Sequence, residues 1–110
     1  MKPALEFFDP NDLPWHETSP KVREKILSKD PKSGLYTRLL KMEPGAKIDK
    51  VLVHDFCEEI IILEGELKDE STGRIYKAGM YACRPPGMKH GPFSTEKGCL
   101  LFEVRYPCKE

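Results

Sequence analysis

His90 closes the stretch Gly79-Met80-Tyr81-Ala82-Cys83-Arg84-Pro85-Pro86-Gly87-Met88-Lys89-His90, a short apolar run that ends in a rigid Pro-Gly turn and so aims one imidazole. Upstream, His54 and Glu58 fall in a strand-rich segment that can carry two more donors to the same point. Two imidazoles and a carboxylate on a small β scaffold are a donor set with which non-haem iron and zinc sites hold a divalent ion and leave positions open. Around Fe(II), about three octahedral positions would remain for water, a bidentate substrate and dioxygen, which suits oxygenase chemistry. Zinc would need one water to complete a tetrahedron, and such a site is structural, sensory or hydrolytic. Manganese and nickel accept the same donors. The expected ligands are therefore His54, Glu58 and His90, holding a divalent metal with Fe(II) or Zn foremost.

These residues have to be positioned by strands. From Gly34 onward, β-prone runs alternate with turns: Leu35 to Met42, Ile48 to His54, Glu59 to Leu67, Arg74 to Tyr76, Met80 to Arg84, His90 to Phe93 and Leu100 to Tyr106. Runs of this length, bounded by Gly, Pro and Asp with no long helical pattern, predict an all-β sandwich or barrel. Strand periodicity puts Leu52 and His54 on one face with Val51 and Val53 on the other, and sets Glu58, Ile60 and Ile62 opposite Ile61 and Leu63. Both faces of this segment are apolar, which predicts that the outer one is covered by the N-terminal region or by a second subunit, a homodimer being expected. Residues 1–33 are rich in proline, charge and turn formers, with a helical pattern only from Val22 to Leu27. They are predicted as an irregular arm with short edge strands, pinned by Phe7, Phe8, Leu13 and Trp15 to a barrel of residues 34–110.

One domain is what 110 residues allow, so the site must lie inside it. Eighteen basic and eighteen acidic residues cancel, which leaves no net field to attract nucleic acid or an anionic membrane surface. The expected partner is a small molecule. No run reaches the ~18 apolar residues of a membrane span, and the N-terminus lacks a signal-peptide pattern. The cysteines, Cys57, Cys83, Cys99 and Cys108, form no C-x-x-C pair, which predicts free thiols in a cytoplasmic protein, with a bridge involving Cys99 or Cys108 as the alternative.

The two donor-bearing segments together resemble the cupin signature. Gly79, Pro85, Gly87 and His90 match its second motif at every offset, with Ser94 where asparagine is usual. Gly45, His54, Glu58 and Gly65 match the first, and the six residues between Glu58 and Gly65 select Glu58 over its neighbour Glu59. Leu52 stands where the first histidine of the H-x-H pair would be, so the usual four protein ligands become three. The run from Glu58 to Leu67, with Ala78-Gly79, Pro85-Pro86-Gly87 and Gly98-Cys99, resembles the ChrR-like cupins. That group includes the zinc-binding cupin domain of an anti-sigma factor and is similar to acetylacetone-cleaving dioxygenases. The resemblance implies a double-stranded β-helix, the jelly-roll cupin barrel, with a metal inside near one mouth.

It also implies three functional readings. The foremost is a non-haem iron(II) dioxygenase of a small chelating substrate, diketone-like or phenolic; the others are a non-catalytic metal or ligand sensor and a metal-dependent isomerase. A metal-free pocket for an organic ligand is the fourth possibility left by the loss of the first histidine. Glu103 shares a strand face with Arg105, and if that face looks inward it can serve as a base or substrate contact, whereas such residues are more often exposed. Cys57 or Cys83 could supply a thiolate in place of the missing imidazole, although buried cysteine commonly packs as a small hydrophobe.

Overall fold

Nine strands carry the described residues, 1–108, of the computed structural model: β1 (His16–Ser19), β2 (Val22–Lys29), β3 (Tyr36–Met42), β4 (Lys47–Ile48), β5 (Cys57–Asp69), β6 (Ile75–Lys77), β7 (Tyr81–Arg84), β8 (Phe93–Ser94) and β9 (Cys99–Tyr106). Every named pairing is antiparallel, and the order runs β1-β2-β3-β9-β5-β8-β4, with β6 and β7 also paired to β5. The all-β jelly roll expected from the sequence is the observed fold. Residues 109 and 110, the end of the expected barrel segment, lie outside the described residues.

β5 curls the sheet. Its first half pairs with β9 and β7, and its second half pairs with β6 and β8, so one thirteen-residue strand belongs to both walls. A bulge between Ile62 and Glu64 marks the change of direction. Gly65 follows it at φ 78°, and a Cβ there would stand 2.0 Å from the Gly98 carbonyl oxygen, so only glycine lets the two backbones approach. Inside the curl, Val22, Leu40, Met42, Ala46, Ile60, Ile62, Leu67, Phe93, Cys99 and Leu101 form the core. Each large member removed from water contributes about 1.5–3 kcal/mol, which sets the strand register because a one-residue slip would turn the whole set outward.

The structure departs from the sequence reading in three places. The irregular part of the 1–33 arm ends at Trp15, because β1 and the eight-residue β2 are paired into the sheet. Val22 to Leu27, the one stretch with a helical pattern, is strand because Val22 is buried in the core and its charged neighbours find partners: Glu24 binds Arg38, and Lys25 is 3% exposed, with its Nζ donating to the Pro10 carbonyl at 2.8 Å and lying 4.4 Å from the Trp15 ring centroid. Of the four residues expected to pin the arm, Trp15 and Leu13 are partly buried; Phe7 is fully exposed and Phe8 is 44% exposed, because the chain around them lies on the open surface beside Leu27. Across Ile48 to His54, regular pairing stops at Ile48 and resumes only as an isolated bridge from Leu52 to His90. The alternation nevertheless survives, with Val51 and Val53 exposed and Leu52 and His54 turned inward.

The third departure concerns the thiols, where the alternative to four free cysteines, a bridge involving Cys108, is the one found. Cys57 and Cys108 are joined as a disulfide, with Cα atoms 5.5 Å apart, while Cys83 and Cys99 are free. Cys57 is opposite Tyr106 in the β5–β9 register, so the chain two residues beyond Tyr106 returns beside it. Cysteine usage therefore gives no argument for a reducing compartment. No helix among the described residues is long and apolar enough to cross a membrane.

Candidate metal centre

The Pro-Gly turn and the Leu52 segment are stitched together by backbone. Leu52 and His90 exchange both hydrogen bonds, at 2.7 and 3.0 Å, and the Gly87 N–H donates to the His54 carbonyl at 3.0 Å. This clamps His54 against His90, with ring centroids 5.1 Å apart. Glu58 arrives from β5, one step before the core residues Ile60 and Ile62 on the same inward face. One donor atom from each of His54, Glu58 and His90 lies within 4.8 Å of the others, so the three expected residues converge and could hold a metal ion.

The chemistry of these donors fits such an ion. His90 Nδ1 lies 3.2 Å from the Met88 carbonyl, a contact in which Nδ1–H donates and which leaves the lone pair on Nε2. Nε2 of His90 and Nε2 of His54 are both buried without a partner among the described residues. Two buried ring nitrogens left without partners are costly; a cation would take up the His90 lone pair, and the His54 one in the tautomer with its proton on Nδ1. Burial pushes both imidazoles below their ordinary pKa, aided by the nearby guanidiniums and against the pull of Glu58, so both are neutral near pH 7 as ligation requires. His54 also stacks on Phe56, 4.5 Å between centroids and 12° between planes, which fixes its ring.

Glu58 is 2% exposed and yet ionised. Burial alone would raise its carboxyl, but the Arg105 charge and hydrogen bond, and then Arg84, hold it below the usual glutamate value. Arg105 Nε donates to Oε2 at 2.7 Å and Arg84 Nη1 approaches Oε1 at 3.4 Å. These partners follow from register: Glu58 is opposite Arg105 on β9 and Arg84 on β7. Glu103 also faces inward, 4% exposed, with its Oε1 accepting from Arg38 Nε at 2.6 Å; burial pushes its carboxyl up against the pull of that guanidinium. Arg38 in turn donates to Glu24 at 2.5 Å, so the barrel interior holds a cross-strand ladder of charges. Sequence pattern alone pairs Glu103 with Arg105 on one face and singles out neither Arg38 nor Arg84. The strand parity that put Glu58 inward would have placed Arg84 inward too, since Cys83 faces out beside Glu59.

Leu52, in place of the missing histidine, borders a small void together with His54, Glu58, Glu103 and Arg84. The cysteines do not replace it: Cys57 is in the disulfide and Cys83 is exposed. Ser94 binds the Glu70 carboxylate instead of joining the site. A larger cavity of about 260 Å³ is walled by one of the three, His90, together with Arg84, with Ile60, Ile62, Met88 and Phe93 as apolar lining.

A family model of the ChrR cupin-like domain matches residues 4–109, the β1–β2 segment included. This chain is a ChrR-like cupin. Solved structures share its fold. KdgF from Halomonas sp. superposes with a TM-score of 0.78 at 20% identity, covering 97% of each chain. An acetylacetone dioxygenase from Acinetobacter johnsonii gives 0.72 at 14% identity, over 92% of this chain and 73% of that one. The anti-sigma ChrR of Rhodobacter sphaeroides, solved in complex with SigE, gives 0.69 at 21% identity, over 87% of this chain and 50% of that one. At such identities the likeness is one of fold. No curated protein sequence matches this ChrR-like cupin.

Proposed function

We propose that this ChrR-like cupin binds one divalent metal ion through His54, Glu58 and His90 and acts on a small chelating, oxygen-bearing molecule, most concretely as a non-haem iron(II) dioxygenase. The observation that carries this is the convergence of His54, Glu58 and His90, one donor atom of each within 4.8 Å of the others, with both imidazole Nε2 atoms buried without a partner among the described residues, next to a partly apolar cavity. Three protein donors would leave Fe(II) free to supply Lewis acidity and redox chemistry to a bidentate substrate. The chain's own residues do the rest. Met88 fixes the His90 tautomer, Arg105 keeps Glu58 charged, and Ile60, Ile62 and Phe93 exclude bulk water from the reacting end.

A second reading, a metal or ligand sensor, draws on the likeness to the anti-sigma ChrR of Rhodobacter sphaeroides. A metal-dependent isomerase would draw its base from Glu103, which borders the same small void as His54 and Glu58. Elemental analysis of protein purified without a metal-affinity tag, followed by oxygen uptake with β-diketones and catechols after anaerobic Fe(II) loading, separates them. Stoichiometric metal lost in His54→Ala and His90→Ala, with substrate-dependent oxygen uptake, is the expected result. Metal without turnover leaves the sensor, and no uptake of Fe(II) or Zn(II) overturns the metal reading.

A further inference from the structure

We infer that the cavity walled by His90 and Arg84 is built for an anion, a small carboxylate-bearing molecule with an apolar body, whose carboxylate is held by Arg84. The inference deepens the proposed function, since it takes the wall containing His90 as the reacting end.

Three arginines face the barrel interior, and two of them are spent. Arg38 has close carboxylate partners in Glu103 at 2.6 Å and Glu24 at 2.5 Å. Arg105 donates to Glu58 at 2.7 Å and to the Tyr36 hydroxyl at 2.7 Å. Among the described residues, Arg84 makes one polar side-chain contact, 3.4 Å to Glu58 Oε1, well beyond the roughly 2.7–2.9 Å of a strong charge-assisted bond. A guanidinium has five donors in a planar fork. With its side chain only 12% exposed, Arg84 has given up most of its water and received little in return. It also lies with its guanidinium carbon 5.1 Å from the Phe93 ring centroid, which fixes the plane of the fork. Of the three, Arg84 is the one in the cavity wall.

The rest of the wall has the same sense. Lys89 stands there without a salt bridge among the described residues. The acid in the lining, Asp69, is occupied by the Ser71 N–H at 2.9 Å and the Ser71 hydroxyl at 2.6 Å. Two cations against one engaged carboxylate leave the cavity positive, before any metal adds to it. Around this lie Ile60, Ile62, Met80, Met88 and Phe93, an apolar sleeve for a hydrocarbon body. About 260 Å³ is at the small end of ligand pockets, which suits an aromatic or branched aliphatic acid and excludes an oligomer. Arg84 also borders the void shared by His54 and Glu58, so a carboxylate bound to its fork lies at the same end of the cavity as the metal donors.

The test compares 3-phenylpropanoate with its neutral isostere 3-phenylpropanamide by isothermal titration, on protein freed of metal with EDTA and dialysed, so that chelation cannot give the preference. The expected result is at least about tenfold tighter binding of the acid, the effect of one charge-assisted contact. In Arg84→Gln the preference falls to parity, in Arg84→Lys part of it remains, and Lys89→Gln weakens the acid by about two- to threefold. Equal binding of acid and amide to the wild-type chain, no binding of either at millimolar concentration, or an acid preference intact in Arg84→Gln would overturn the proposal. The wild-type comparison decides even if Arg84→Gln fails to fold. Zn(II) uptake measured on the same preparations keeps the two readings apart: an acid preference without metal uptake sinks the metal reading alone, and metal uptake with no acid preference sinks this one alone.

Discussion

Replacing Glu58 by glutamine should separate the electrostatic role of this residue from its role as a donor. The carboxylate is 3% exposed in its side chain, against 14% for Arg105 and 12% for Arg84, so the three charges share a largely dry environment. Removing the negative charge strands two guanidiniums, and breaking a buried pair in this way costs about 3–5 kcal/mol. Glutamine keeps one oxygen that can accept from Arg105, which places the variant at the lower end, near 3 kcal/mol. For a domain of this size each kcal/mol moves the melting temperature by roughly 4–8 °C, so Glu58→Gln should melt about 12–24 °C below wild type in EDTA. His54→Ala and His90→Ala should behave differently. Each removes a buried Nε2 without a partner, and His90 also loses one long hydrogen bond to Met88, so about 1–2 kcal/mol is expected from lost ring packing.

Metal widens the gap between wild type and all three variants alike. Zn(II) at a hundred times its dissociation constant should stabilise wild type by about 2.7 kcal/mol and none of the three variants. Thermal melts followed by circular dichroism, with EDTA and with Zn(II), read both effects. A Glu58→Gln variant that melts within a few degrees of wild type in EDTA, or a His90→Ala variant that loses more than Glu58→Gln there, would show that the Glu58–arginine contacts do not carry the stability assigned to them.

Three further outcomes test the fold. Gly65→Ala should cost about 2–6 kcal/mol by combining a left-handed backbone with a Cβ driven into the Gly98 carbonyl, while Gly73→Ala, equally left-handed but with nothing within 4 Å, should cost about 1–2 kcal/mol; similar urea midpoints for the two would refute the close approach. Iodoacetamide on the native, unreduced protein should add one label, at exposed Cys83, because Cys99 is 5% exposed with its thiol pushed up to about 11 by burial; intact mass showing two fast labels, or no new sites after reduction, would contradict the pairing of Cys57 with Cys108. Burial raises the Glu103 carboxyl above its ordinary 4.5, so the folded chain holds this proton where the unfolded chain has released it, and the group's contribution is complete below 4.5 and lost as pH climbs through its folded value. Glu103→Gln should therefore make stability rise more steeply with pH just above 4.5, and urea melts across that range showing an unchanged or shallower slope would reverse the assignment.

How far the sequence could be read follows from where each residue finds its partner. β3 and β9 are legible because Leu40, Met42, Cys99 and Leu101 alternate with outward residues and need nothing but a core. β2 is not, because its polar residues are satisfied from far along the chain: Glu24 by Arg38 across one strand, Lys25 by Trp15 and the Pro10 carbonyl from the arm. Ile48 to His54 has strand composition yet little ladder, since composition does not say whether a partner strand is present, and here the only pairing beyond Ile48 among the described residues is the Leu52–His90 bridge. The disulfide depends in the same way on register: Cys108 comes beside Cys57 because Tyr106 is paired there, and no spacing between cysteines records that.

The convergence of the three candidate donors was legible because each was announced by local chemistry, a Pro-Gly turn before His90 and inward parity for His54 and Glu58. The groups that make those donors usable were not. An ionised glutamate 2% exposed in an apolar barrel is tenable only with Arg105 and Arg84 beside it, and those residues meet it through the pairing of β5 with β9 and β7. That arrangement has a consequence for the loss of the first motif histidine. Leu52 gives the void an apolar wall where another imidazole would have been, so a metal held there would have three protein donors, next to a basic, partly apolar cavity. Under the proposed function, a three-donor set flanked by an under-used guanidinium is better matched to a ligand that brings its own oxygen donors and negative charge than to a closed structural ion.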